Sequence, residues 1–255
     1  MAAQKLVWIT GASQGIGRAL SLELALRGHI VAASARNLDA LQELSYDAAS
    51  YPGSVHAFSL NVTEQVEVIE AFNEIENTLG QIDVAVLNAG THIETPANDF
   101  HSADVSHLMQ LNFMGCVFAL EQLLPLMRAR KSGRIAVVSS LAGYRGLPTA
   151  SGYGASKAAL INLCESLRLE LSGSGVTMQV VNPGFVKTPL TDRNPFEMPF
   201  LISAKSAAVR IANGLESNRF EIRFPRRFAW IMAFLRHCPF WLYSLLVKNK
   251  TTRER

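Results

Sequence analysis

The sequence predicts an α/β protein built on an open, doubly wound parallel sheet of about seven strands with helices on both faces. Three observations carry that expectation. β-Branched or apolar runs alternate with segments of helical periodicity, from "KLVWIT" at 5–10 to "FEIRFP" at 220–225. Some runs, such as "HIVAASA" at 29–35, are almost continuously apolar, which suits strands buried on both faces. The 255 residues are 49% hydrophobic and show no linker, low-complexity tract or internal repeat, so a single domain over 1–255 is expected.

Taken in order, "KLVWIT" is the first strand, and "RALSLELALRG" at 18–28 is a helix with Leu20 and Leu24 on one face, stopped by Gly28. "HIVAASA" follows as a strand, Leu38, Leu41 and Leu44 recur at helical spacing, and "SVHAFSLNV" at 54–62 returns to strand. Thr63 is placed to cap a third helix with Val66, Ile69, Phe72 and Leu79 on its inner face. "IDVAVLNAG" at 82–90, "GRIAVVSS" at 133–140 and "VTMQVVNPG" at 176–184 read as strands, separated by helices near 105–129 and 153–172. A helix near 204–217 then leads into "FEIRFP", the seventh strand.

Composition excludes several functions. A formal charge of +3, spread over most of the chain, offers no patch for nucleic acid. Cys116, Cys164 and Cys238 are widely spaced and odd in number; they read as small buried hydrophobes in a reducing, cytoplasmic setting. The six histidines form no metal-ligand spacing, so no metal is expected. The first apolar run is already the strand before the glycines, which leaves no room for a secretory leader.

The stretch "TGASQGIG" at 10–17 places Gly11, Gly15 and Gly17 at the carboxyl end of the first strand, where ligands sit in such sheets. Glycine permits positive φ and brings backbone N–H groups close to a pyrophosphate at a helix N-terminus. The spacing G-x-x-x-G-x-G differs from the common G-x-G-x-x-G, and a glycine-rich turn without a ligand stays open. The second strand ends in Ala35 and Arg36, with no acidic residue until Asp39. An acid there would hold a ribose hydroxyl, whereas a guanidinium grips a 2′-phosphate. At roughly 1.5–3 kcal/mol for a charged hydrogen bond, a ten- to hundredfold preference for NADP(H) follows. A surface arginine with nothing to bind is the alternative.

Tyr153 and Lys157 in "YGASK" lie four residues apart and so share one helix face. An ammonium beside a phenol favours phenolate, as a general acid–base for an alcohol–ketone pair requires. Ser140, at the end of "RIAVVSS", is placed to hydrogen-bond the substrate oxygen.

These motifs, with "NAG" at 88–90, Asn112 in "QLNFMG" and "NPGFVKT" at 182–188, occur in the order of the short-chain dehydrogenase/reductase superfamily. The chain resembles the branch of that family marked by T-G-x-x-x-G-x-G and Y-x-x-x-K, over residues 4 to about 224. The resemblance implies a Rossmann-type fold and hydride exchange between a nicotinamide and a ketone or secondary alcohol. It implies that Tyr153 is the general acid–base, that Ser140 orients and polarises the carbonyl, and that Lys157 lowers the Tyr153 pKa and holds the nicotinamide ribose. Asn112 resembles the asparagine that keeps a water beside the lysine, with a local interruption of its helix. Ser13, Gln14 and Ile16 complete the glycine loop, while Asn61 and Val62 correspond to adenine contacts, with Asn61 in place of a more usual aspartate. Asn88, Ala89 and Gly90 match the segment along the cofactor, and Pro183, Gly184, Val186 and Thr188 the nicotinamide-side loop. Gln14 stands where some NADP(H) members carry a basic residue, so Arg36 alone carries the preference and NAD(H) stays possible. A non-catalytic NADP(H)-binding scaffold is the competing reading. The family is commonly dimeric or tetrameric, which implies a homo-oligomer, and NADPH chemistry implies reduction as the direction.

Two stretches lie beyond these motifs. The segment 189–203 matches the family's substrate loop; Phe196, Met198, Phe200 and Leu201 read either as a lid for a lipophilic substrate or as packing against the core. The extension 225–255 holds an apolar run at 228–247, but Arg236, His237 and Pro239 interrupt it, which argues against a membrane span. Two short helices split at Cys238–Pro239 and flanked by Arg226, Arg227, Lys248 and Lys250 suit either a membrane surface or contacts within protein, over the pocket or between subunits.

Overall fold

A computed structural model describes residues 3–192 and 198–251, with side chains to residue 247. Phe196 therefore lies outside the described residues, as do the side chains of Lys248 and Lys250. Seven strands form one parallel sheet: β1 Leu6–Thr10, β2 Ile30–Ala35, β3 Ser54–Ser59, β4 Val84–Leu87, β5 Gly133–Val138, β6 Val176–Pro183 and, at the far edge, β9 Glu221–Phe224. Their order is β3-β2-β1-β4-β5-β6-β9. All seven expected strands are present.

The helices divide between the two faces. On one face α1 Gly15–Leu26, α2 Leu38–Asp47 and α7 Ala204–Leu215 bury Leu20, Leu24, Leu41, Leu44 and Ile211 against Val7, Ile9 and Val31. On the other face α3 Gln65–Leu79, α5 Gly115–Ala129 and α6 Ser151–Glu170 bury Phe72, Ile75, Leu120, Leu123 and Leu160 against Trp8, Ala85 and Ile135. Alternate residues of one strand thus feed opposite cores, which is why β1 is buried throughout. Helix α1 ends as expected: Gly28 at φ +89° lets the His29 N–H reach the Leu24 carbonyl at 3.0 Å.

The third helix differs from expectation. Asn61 Oδ1 accepts from both the N–H and the hydroxyl of Thr63, so Thr63 is consumed by a turn and Glu64 becomes the cap. The inner face is Val68, Ala71, Phe72 and Ile75, and Val66 is exposed. The helix expected near 105–129 is three pieces: α4 Ser102–Leu108, a π-helical turn Met109–Met114 and α5. A small parallel pair, β7 Val186–Lys187 with β8 Ile202–Ser203, was not legible in the sequence and joins the two ends of the 189–203 loop. Beyond β9, α8 Arg226–His237 and α9 Phe240–Thr251 break at Cys238–Pro239 as expected. No helix among the described residues is long and apolar enough to cross a membrane.

Candidate active site

Strand order reverses between β1 and β4, and a cleft of about 460 Å³ opens there, beyond the carboxyl ends of the strands. Of the expected site residues, Gly11, Ser13, Gln14, Gly15, Ile16, Arg36, Asn61, Val62, Asn88, Ala89, Gly90, Ser140, Tyr153, Lys157, Pro183, Gly184, Val186 and Thr188 all line it. Gly17 and Asn112 do not; both are buried behind its wall.

The glycine loop is shaped by contact. Gly11 and Gly15 sit at φ +67° and +58°, which only glycine adopts readily. A Cβ on Gly17 would lie 2.3 Å from the Gly11 carbonyl oxygen, so Gly17 permits the close packing of loop and helix. Asn88 clamps the same loop from β4: its Nδ2 donates to the Thr10 and Gly11 carbonyls at 3.0 and 3.1 Å. The N-terminus of α1 has no side-chain cap and no acid in its first turn. Its free N–H donors and positive dipole end therefore face the cleft, and the residues present fit a pyrophosphate. Arg36, exposed at the end of β2, has no ion-pair partner among the described residues.

The other end of the cleft holds the polar side chains. Helix α6 starts where Thr95, buried, accepts from the Gly152 N–H at 2.9 Å and takes part in a 2.7 Å bond with the Ser151 hydroxyl. That external cap fixes the turn carrying Tyr153 and, one turn on, Lys157. Lys157 is 4% exposed and donates to the Val138 carbonyl at 2.9 Å; burial pushes its pKa down to about 8. Its Nζ lies 5.8 Å from the Tyr153 ring centre. Burial raises the Tyr153 pKa above the ordinary phenol value, and a hydrogen bond with Ser140 pulls it back in part. The lowering expected from Lys157 is not what this arrangement gives, because the ammonium is turned onto a backbone carbonyl and desolvation dominates. Ser140 also accepts from the Ala142 N–H at 3.1 Å, which caps the short 3₁₀ turn Leu141–Gly143.

Asn112 occupies the π turn, as the expected interruption requires. Its Oδ1 accepts from the Thr91 N–H at 2.8 Å, and its Nδ2 donates to the Thr91 carbonyl and the Ser156 hydroxyl, both at 3.0 Å. A Cβ on Gly90 would meet Asn112 Oδ1 at 3.1 Å and Lys157 Nζ at 3.3 Å, so the glycine holds these two groups close together.

Sequence reasoning missed three features. The His92 ring packs edge-on against Tyr153 at 4.8 Å, and burial pushes its pKa below the ordinary imidazole value. Thr91, Leu111 and Ser139 also line the cleft, and only their neighbourhood to motif residues signalled them. Behind the site, the Glu221 carboxylate of β9 accepts from Asn182 Nδ2 at 2.6 Å and from the Tyr144 hydroxyl. Tyr144 follows the Ser140 turn and Asn182 precedes Pro183, so one carboxylate ties both walls. Phe200 and Leu201 are exposed rather than packed into the core, and Phe200 lies 6.2 Å from Phe228 of α8. Phe228 stacks at 5.5 Å on Phe185.

Known proteins resemble this chain in sequence and fold. The short chain dehydrogenase family profile matches residues 5–197. An uncharacterized oxidoreductase of Myxococcus xanthus is 39% identical over 221 residues, covering 87% of each chain. A 3-oxoacyl-acyl-carrier-protein reductase of Thermotoga maritima is 33% identical over 191 residues, covering 75% of this chain and 78% of its own. The solved structure of ElxO with NADP bound superposes with a TM-score of 0.78 at 25% identity, covering 87% of this chain and 98% of its own. The sheet order, the glycine loop that fits a nicotinamide dinucleotide and these relatives agree: the chain belongs to the short-chain dehydrogenase/reductase family and is an NAD(P)-dependent oxidoreductase.

Proposed function

We propose that the chain reduces a lipophilic ketone to a secondary alcohol with NADPH, using Tyr153 as general acid. The observation that carries this reading is the convergence of the Tyr153 phenol, the Ser140 hydroxyl and the buried Lys157 ammonium at one end of a cleft whose other end fits a pyrophosphate. A bound nicotinamide supplies the hydride. The chain's own residues handle the oxygen. Ser140 and Tyr153 hydrogen-bond the carbonyl oxygen and set its position. Because burial keeps the Tyr153 proton in place at neutral pH, the phenol is ready to donate it as negative charge develops on that oxygen. The resulting phenolate is stabilised by the Ser140 hydrogen bond. Lys157, at about 8, is mostly ammonium at neutral pH. Asn112 acts behind Gly90, holding the Thr91 backbone and through it the cleft wall.

Arg36 supports NADP(H) over NAD(H): it has no ion-pair partner among the described residues, and the end of β2 carries no acidic residue before Asp39 that would take the ribose hydroxyls. The exposed Phe200, close to Phe228, and the exposed Leu201 support a lipophilic substrate.

The test follows cofactor absorbance with a panel of apolar ketones. Wild type turns over with NADPH, Tyr153→Phe loses the activity while still binding NADPH, and Arg36→Ala loses roughly ten- to hundredfold in preference for NADPH over NADH. Turnover that survives in Tyr153→Phe refutes the proton assignment, and an unchanged preference in Arg36→Ala refutes the cofactor assignment.

A further inference from the structure

The helical pair α8–α9 presents an apolar surface that the fold leaves uncovered. Arg227, Trp230, Ile231 and Phe234 recur at helical spacing on the exposed side of α8, while Ala229 and Met232 face the core. Trp230 and Phe234 are each 66% exposed, Phe240 74% and Trp241 65%. Two of the chain's three tryptophans therefore stand in solvent here, and only Trp8 is in the core. Large aromatics seldom cluster on a surface without a partner.

Charge identifies the partner. Residues 226–251 hold five Lys and Arg and no Asp or Glu, more positive charge than the +3 of the whole chain. Arg226 and Arg227 are exposed and have no ion-pair partner among the described residues. Arg223 lies 4.8 Å from the Trp230 ring, which adds a cation beside the aromatic face. Tryptophan and phenylalanine flanked by arginines, on helices too short to span, is the pattern of an element lying in a bilayer interface. A second copy packed on this face across a two-fold axis would bring like-charged arginines together. An anionic lipid surface instead neutralises them.

We propose that α8–α9 docks on an anionic phospholipid bilayer, with Trp230, Phe234 and Trp241 in the headgroup–acyl boundary and Arg226 and Arg227 on the phosphates, and that the ketone enters the cleft from that bilayer. The second half rests on the lipophilic-substrate reading above. Its structural basis is continuity. On α8, one turn before the exposed Ile231, Phe228 stacks on Phe185 and approaches Phe200 of the 189–203 segment. A Cβ on Gly184 would lie 2.7 Å from Phe228, so the helix touches the cleft wall itself. Ile231, exposed and one turn after Phe228, thus continues an apolar row of Phe228, Phe185 and Phe200 that reaches the cleft wall at Gly184. The pair is firmly seated: Arg145 lies over the Tyr243 ring at 4.8 Å, and Arg236 reaches Glu165 at 3.7 Å.

Flotation tests the docking. The full chain is mixed with phosphatidylcholine vesicles, with and without about a quarter phosphatidylglycerol, in about 0.15 M salt. Expected are binding to the anionic vesicles only, about fivefold weaker binding for each of Arg226→Gln and Arg227→Gln, and at least tenfold weaker binding for Trp230→Ser/Phe234→Ser/Trp241→Ser. NADPH binding by the triple variant reports that it is folded. Equal binding by wild type and triple variant, or no binding to anionic vesicles, overturns the docking. So does a wild-type dimer that the triple variant converts to monomer without vesicle binding, which would assign the face to a second copy. For delivery, a long-chain ketone held in the anionic vesicles is compared with a short soluble ketone. The triple variant should lose at least tenfold in turnover of the vesicle-held ketone and keep that of the soluble one; equal loss or no loss overturns delivery. Absence of turnover of either ketone by wild type would refute the ketone reading, while flotation would still decide the docking.

Discussion

Replacing Asn112 by leucine, which has similar size and no hydrogen-bonding group, tests whether the π turn is held by its side chain. Asn112 is 1% exposed and satisfies the Thr91 N–H, the Thr91 carbonyl and one position on the Ser156 hydroxyl. Ser156 keeps a second partner, since its hydroxyl donates to the Tyr153 carbonyl at 2.8 Å. The loss therefore falls on two backbone groups of Thr91, each costing about 1–3 kcal/mol when left unpaired. Thr91 is only partly buried, so water offsets some of this, and about 3 kcal/mol remains. For a chain of this size about 2–4 °C in Tm accompanies each kcal/mol, so scanning calorimetry should show a fall of about 6–12 °C. The same variant should show weaker NADPH binding, because Gly90 and Thr91 line the cleft. A fall below ~2 °C would refute the reasoning, since it would mean that the segment after β4 is held by other contacts.

Three further outcomes are expected. Gly17→Ala places a methyl against the Gly11 carbonyl at 2.3 Å; fluorescence titration should show NADPH binding weakened by at least tenfold, on the order of the ~1.4 kcal/mol that factor represents. Lys157, held at about 8 against an ordinary 10.5, binds fewer protons folded than unfolded between those values, so its contribution to stability rises with pH across that window by up to about 3 kcal/mol. The raised pKa values of Cys116 and Cys164 act oppositely above their ordinary 9, so the rise is read as the difference in urea midpoint between wild type and Lys157→Met; no difference in slope from pH 8 to 9 would contradict it. Burial pushes the Cys116 thiol up to about 12 and the Cys164 thiol higher still, so neither should react with Ellman's reagent at pH 8 until the chain is unfolded.

The strands were legible because burial on both faces leaves continuous apolar runs, a signal that survives without knowledge of partners. The glycine loop and the Tyr153–Lys157 pair were legible because their chemistry fixes spacing along the chain. Contacts made across the fold were not. Thr63 reads as a helix cap until Asn61, two residues back, takes its donors. The π turn has no periodicity of its own and was expected only through the resemblance at Asn112, and the β7–β8 pair is too short to show alternation. The Tyr153 pKa depends on where the Lys157 ammonium turns, which four-residue spacing cannot convey. His92 reaches the site from the segment after β4 and Glu221 from β9, and nothing local to either announces it.

Glu221 has a consequence for how this enzyme can diversify. Both jaws of the reacting end, the turn after Ser140 and the strand end before Pro183, hang from one carboxylate on the sheet's edge strand. The gap between them is thus gauged by the scaffold and not by the 189–203 loop. The 189–203 loop, clipped near its ends by the β7–β8 pair, can be exchanged or lengthened to admit a different molecule while the calliper of the two jaws stays closed to the same width.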